Sequence, residues 1–277
     1  SDLEYSTAAN KHLEADMNLK TILIAGLFSF LFVGNISAQK VWEREANFWS
    51  ADDALLILKD SPFAKTYMSS EAAAAAEKAN VAREQSQSVF SGGSNPKSSE
   101  RSAGIAPIVA RLHSSLQVRQ AIVRLRQLTP EYQKLSGGEL QRFDEAQKTY
   151  IDCGICKNFY VISVTKFADS TPGRVDEGIF ERTTLPEVKG NVWLLADNGD
   201  KLEVFQFTPS KGGAGSAYFF FKRFNDNGEP FLKPSMKWFR IVFSNDFLTS
   251  SNPYTPYLPR NFEFNIGKIT FDNHIEF

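Results

Sequence analysis

From about residue 157 the chain reads in steps of two. Runs at 159–167, 192–196, 202–207, 217–224, 238–243 and 262–271 are rich in aromatic and branched residues, and 17 of the 24 phenylalanines fall in 157–277. Short apolar runs of this composition, separated by turn residues, are the pattern of strands. Asn198-Gly199 lies between two of them, and such a pair readily supplies the positive φ angles of a tight hairpin turn. Asn227-Gly228 marks a second turn. In Tyr218-Phe219-Phe220-Phe221 both faces are apolar, as expected of a central strand covered on each side. The pattern predicts a C-terminal domain, 153–277, that is a mostly antiparallel β-sandwich or barrel-like fold.

The preceding residues read differently. In 39–68, Ser50 is a good helix N-cap with Asp52 and Asp53 in the first turn, where the dipole favours anions. Leu55, Leu56 and Leu58 are expected to make one apolar face, and Pro62 to end the helix. Trp42 and Trp49 are placed against that face and are kept as candidate contact residues. Segment 69–105 is of low complexity. Its alanine run favours a helix over 72–83, and its Gly/Ser/Pro part at 86–104 is read as a mobile loop. In 106–152, Ile108, Ala110 and Leu112 alternate with Val109, Arg111 and His113, a strand pattern. A helix follows, capped by Ser115, with Leu116, Ile122, Leu125 and Leu128 inward and Arg119, Arg124 and Arg126 on the opposite side. Thr129-Pro130 breaks it, and 139–150 forms a second helix. The chain is therefore expected to be α+β, an N-terminal helical region joined to the β domain.

Residues 17–38 carry one Lys, an apolar run at 21–33 and a small residue, Ala38, before Gln39. This is the layout of a secretory signal peptide. The run is shorter than the roughly 20 residues needed to span a bilayer. Residues 1–16, acidic and without Met at the start, are read as an upstream extension outside the fold. Beyond residue 38 the chain has 29 basic and 28 acidic side chains, a balance that argues against nucleic acid or anionic lipid as a partner.

Chemical motifs are sparse. Residues 135–142, Leu-Ser-Gly-Gly-Glu-Leu-Gln-Arg, match the signature of ABC-type ATPases. The phosphate-cradling Gly-x-x-x-x-Gly-Lys-Ser/Thr loop is missing from the sequence, so a Gly-Gly turn entering a helix is the better reading. Cys153 and Cys156, the only cysteines, are read as a small disulfide loop just before the strand at Phe159; a thiol redox pair, and half of a zinc site lacking further ligands at motif spacing, are the alternatives. No Gly-x-Ser-x-Gly elbow occurs. His113 is read as a surface residue and His274 as a strand-edge residue. The acidic stretches 197–200 and 225–229 lack the length of a calcium loop and are read as turns. The Pro/aromatic segment 252–259 presents Tyr254 and Tyr257 as candidate contact residues.

Several stretches together resemble a group of uncharacterised exported soil-bacterial proteins: Trp42, Trp49-Ser50, Asp60-Ser-Pro-Phe-Ala-Lys65, Arg111-Leu-His-Ser-Ser-Leu-Gln-Val-Arg-Gln-Ala121, Tyr218-Phe-Phe-Phe-Lys-Arg223 and 262–271. The chain has Phe63 and Leu112 where that group is expected to carry Trp. The resemblance implies export and this architecture, and brings no catalytic residues. The sequence thus points to a periplasmic or secreted, non-enzymatic interaction or structural module with no catalytic or metal-binding residues and no cofactor. Its expected partner is an extracytoplasmic protein or an apolar ligand, with no nucleic acid and no membrane span after signal cleavage. A thiol-disulfide redox protein or unrecognised hydrolase, and a binder of small apolar ligands or lipid, are the alternatives.

Overall fold

The computed structural model describes residues 40–70, 73–74, 107–166, 180–211, 215–249 and 258–277. The expected signal segment with its upstream extension, nearly all of the low-complexity segment, and Tyr254 and Tyr257 lie outside the described residues. The chain divides into two units, 1–44 and 45–277. In the first, Trp42 sits in a single 3-10 turn, Val41–Glu43.

The second unit is α+β. It opens with α1 (Ala51–Lys59), whose start is closed by a capping box: Asp53 N donates to Ser50 Oγ at 3.1 Å and Ser50 N donates to Asp53 Oδ2 at 3.0 Å. The buried face is Ala54, Ile57 and Leu58, while Leu56 is 42 % exposed. Helical spacing of three and four residues selects that set, and the expected Leu55–Leu56–Leu58 face does not follow it. The Ser61 hydroxyl then donates to the Ile57 carbonyl at 2.7 Å and turns the chain at Pro62. The part of 39–68 after the turn is not helical: Ala64–Tyr67 is strand β1.

Next come β2 (Ile108–Leu112), α2 (Leu116–Gln127), the short α3 (Pro130–Gln133), α4 (Gly137–Asp152) and β3 (Phe159–Lys166). Helix α2 packs against both α1 and α4. It therefore buries Val118, Arg119, Ala121 and Val123 rather than the single leucine-rich face expected. The remaining elements are α5 (Leu185–Val188), β4 (Val192–Ala196), β5 (Lys201–Glu203), β6 (Gln206–Thr208), β7 (Ser216–Lys222), β8 (Trp238–Phe243), α6 (Asn245–Leu248), β9 (Asn261–Asn265), β10 (Thr270–Phe271) and β11 (His274–Ile275).

Among the described residues all strand pairings are antiparallel. One sheet has the order β1-β2-β3-β7-β6, a second the order β5-β4-β8-β9, and β10-β11 is a separate hairpin. Residue 153 marks a change from helix to strand and not a break between compact units, because β2 on one side pairs directly with β3 on the other. The expected strand 202–207 is two strands in different sheets, with buried Val204 between them. Gly199, at φ +90°, makes the β4–β5 hairpin turn that the Asn-Gly pair signalled.

Aromatic side chains from both sheets meet in one core. Phe219 of β7 lies 6.2 Å from Phe243 of β8, and Phe180 touches Phe207, Phe219, Phe243 and Phe247 at 5.5–6.4 Å between ring centres. Edge-on and offset contacts at such separations are the favoured aromatic arrangements, and each fully buried ring contributes about 2–3 kcal/mol. Among the described residues, no helix is long and apolar enough to cross a membrane.

Candidate functional site

The register of the five-stranded sheet sorts two adjacent rows onto opposite faces. Leu112, Ile162, Phe219 and Phe207 stand opposite one another across β2, β3, β7 and β6, on the face that meets the aromatic core. One residue along each strand, Arg111, Ser163, Tyr218 and Thr208 form the next row. Side chains alternate between faces along a strand, so this second, polar row lies on the other side.

Helices α2 and α4 bring further polar groups to that side. Arg111 is 8 % exposed, and its Nε donates to the Leu58 carbonyl near the end of α1 at 2.7 Å. Arg119, also buried, donates from Nε to the Ile151 carbonyl near the end of α4 at 2.8 Å and from Nη1 to the Ser114 carbonyl. A helix C-terminus carries partial negative charge and unpaired carbonyls, so these are favourable seats for guanidinium groups. Arg126 donates to Gln147 Oε1 at 2.9 Å and lies 5.0 Å from the centre of the Tyr150 ring.

His113 sits in the middle of this group. Its ring is edge-on to Tyr150 at 5.7 Å and to Tyr218 at 5.0 Å, and its Nε2 lies 3.4 Å from the Tyr150 hydroxyl. The surface position expected for His113 is wrong: it is 8 % exposed. Burial, with the charges of Arg119, Arg111 and Arg126 added, pushes its pKa down to about 4. Burial, helped by Tyr218, pushes the Tyr150 phenol up to about 12. The ring is thus neutral at pH 7, and so is the phenol.

Tyr218 also forms the border with the cysteine pair. Cys156, Val161 and Phe220 make a small apolar cluster against which Cys153, Phe159 and Tyr218 pack. Cys153 and Cys156 have Cα atoms 5.3 Å apart, a disulfide-capable geometry with the two sulfurs at bonding distance. Cys153 is the C-cap of α4, at φ +42°. The dipole at that end works against a thiolate, whereas redox cysteines are activated at helix N-termini.

The two acidic turns come together elsewhere. Asp197, Asp200, Asn225, Glu229 and Lys233 line an open cleft of about 480 Å³. Asp197 Oδ2 accepts from Lys237 N at 2.7 Å, Asp200 Oδ2 from Asn198 Nδ2 at 2.6 Å, and Glu229 pairs with Lys233 at 3.4 Å. These bonds fix turns, and among the described residues no group of three or more His, Cys, Asp or Glu could hold a metal.

Of the contact residues expected from the sequence, Trp49 is a core residue, 1 % exposed, whose carbonyl accepts from Arg124 Nε at 2.8 Å. Trp42 lies in the first unit, and His274 is an exposed residue of β11. The Arg–His–Tyr cluster was missed. Its signal was present: Arg111 stands among Ile108, Val109, Ala110 and Leu112, a strand apolar on both faces, so a charge there has to be buried and paired. Comparison with protein-family models, curated proteins and solved structures finds no match to the chain.

Proposed function

We propose that the chain is an exported, extracytoplasmic module that works by binding and not by catalysis, with the largely buried Arg111–His113–Tyr150–Tyr218 cluster as its working site. One observation carries this reading. The two groups best placed for proton transfer, His113 and Tyr150, are pushed in opposite directions to about 4 and about 12. A general acid or base works best with a pKa near the operating pH, and both groups are moved away from it. Around them are held cations and phenols, groups suited to grip a ligand. The cysteine pair, at the C-terminal end of α4 and packed on Phe220, supports a structural staple in an oxidising compartment over a redox centre. The signal-like segment 17–38 and the resemblance to exported proteins support the location.

Ring-proton NMR of His113 between pH 5.5 and 8, in a buffer of chloride salt only, tests the reading. A flat profile is expected. A midpoint between pH 6 and 7.5 restores a general base to the site and overturns the non-enzymatic reading. Export is checked separately, by N-terminal sequencing of the protein recovered outside the cytoplasm, with Gln39 expected as its first residue.

A further inference from the structure

Helix α4 is seated mainly by polar contacts. Of its 16 residues only Gln147 is buried. Leu140, Phe143, Tyr150 and Ile151 are half-buried, and the Phe143 ring packs on Tyr132 of α3. Helix α2, by contrast, buries Val118, Arg119, Ala121 and Val123. Arg119 Nε donates to the Ile151 carbonyl, and Arg126 donates to Gln147 Oε1 and lies against the Tyr150 ring. The Tyr150 hydroxyl meets His113 Nε2 at 3.4 Å. A segment with so few buried apolar groups opens at a lower free energy than the core beside it. Beyond Asp152 the attachment is covalent. Cys153, the C-cap of α4, is joined to Cys156, which is buried with Val161 and Phe220.

His113 makes this seat sensitive to acid. Its ring lies between Tyr150 of α4 and Tyr218 of β7, and Arg111 from β2 and Arg119 and Arg126 from α2 act on it. Asp152 at the end of α4 and Glu276 after β11 act in turn on Arg119. Whichever nitrogen carries the proton of the neutral ring, a second proton makes a cation that needs water. Of the elements around the ring, α4 is the least anchored. We propose that α4 is a lid over the His113 cluster, which swings away as a unit on the Cys153–Cys156 loop when His113 takes up a proton. The inference rests on the binding reading above for its consequence: Tyr150 leaves with the lid, so acid takes the site apart before the sheets unfold. Burial holds the pKa of His113 near 4 while the lid is closed, and opening returns it toward the ordinary value, so falling pH favours the open form.

The test is amide hydrogen exchange of the full, unreduced chain at pH 7, 6 and 5, corrected for intrinsic rates and repeated at low urea. Residues 139–150 should share one protection factor, at least about tenfold smaller at pH 7 than that of 160–164 in β3 and insensitive to low urea. Going from pH 7 to pH 5 should reduce it about 20-fold, the ratio for a group whose pKa moves from about 4 to about 6.5 on opening. His113→Asn should abolish that dependence, while Asp152→Asn combined with Glu276→Gln should keep it. Exchange of α4 at the same protection as β3, or graded fraying without pH dependence, overturns the inference. So does a dependence that survives in folded His113→Asn or vanishes with the two carboxylates. The wild-type comparison of α4 with β3 and the carboxylate variant decide even where His113→Asn does not fold. A negative outcome leaves the flat His113 profile standing, since that profile reads the proton on the ring and not the exchange of the helix, so the two readings fail separately.

Discussion

His113 Nε2 faces the Tyr150 hydroxyl at 3.4 Å, and the guanidinium of Arg126 lies 5.0 Å from the centre of the same Tyr150 ring. A buried neutral imidazole and a half-buried neutral phenol are therefore in contact, with an exposed cation against the outer side of the phenol ring. The pair survives because nothing at pH 7 requires the histidine to charge. Acid does.

The stability of the protein should fall between about pH 6.5 and pH 4. The folded-state pKa of His113 is lowered to about 4, so over this window the unfolded chain takes up a proton that the folded chain refuses. Stability then rises with pH across the window, and the effect is absent above it, where His113 is neutral in both states. The groups facing the ring are Arg111 from β2, Arg119 and Arg126 from α2, Tyr150 from α4 and Tyr218 from β7, and none supplies a negative charge at these pH values. The full loss is about 3 kcal/mol. Urea melts at pH 7, 5.5 and 4.5 should show it, and His113→Asn should remove this histidine's share of the slope.

Arg119→Met should cost about 3 kcal/mol in urea denaturation. The substitution leaves the carbonyls of Ser114 and Ile151 without their buried donor and unties the end of α4 from the turn after β2. Arg119→Lys, which keeps the charge but cannot reach in two directions at once, should recover only part of the loss.

Phe219→Ala should cost about 3–5 kcal/mol, and Phe219→Leu much less. The Phe219 ring touches Phe180, Phe207 and Phe243, so its loss opens a cavity between strands of both sheets. A calorimetric melting curve for each variant gives the comparison.

Replacing both cysteines by Ser should lower stability by about 2 kcal/mol, the value for closing so short a loop. The fold should remain, because Val161 and Phe220 still pack against the site. Thiol titration of the unreduced, denatured protein should find no free thiol; two free thiols would remove the staple from the account.

The β half was legible because alternation and turn chemistry are local properties. Asn198-Gly199 and Tyr218–Phe221 are each read correctly from a few residues, as a hairpin turn and a central strand. The Ser50 cap is equally local, and forms the expected helix start. What the residues could not reveal is long-range pairing. The sheet unites Ala64–Tyr67 with strands as distant in sequence as Ser216–Lys222, and no pattern in 39–68 distinguishes the end of a helical motif from an edge strand. Most of the polar cluster was hidden for the same reason. Only Arg111, within an apolar strand, signalled burial; Arg119 and Tyr150 are ordinary surface residues by composition, and join it only when β2, α2 and α4 are brought together.

The segment Lys201–Thr208 leaves one sheet and joins the other within three residues, with Phe205 N bonded to the Phe220 carbonyl at 2.8 Å on arrival. A crossing this short leaves no slack. The two sheets are stitched at that point and cannot slide past each other without breaking the stitch, so together they act as a fixed bed. Helix α4 is tied to the rest of the fold differently, through the Arg119 hydrogen bond to the Ile151 carbonyl near its end.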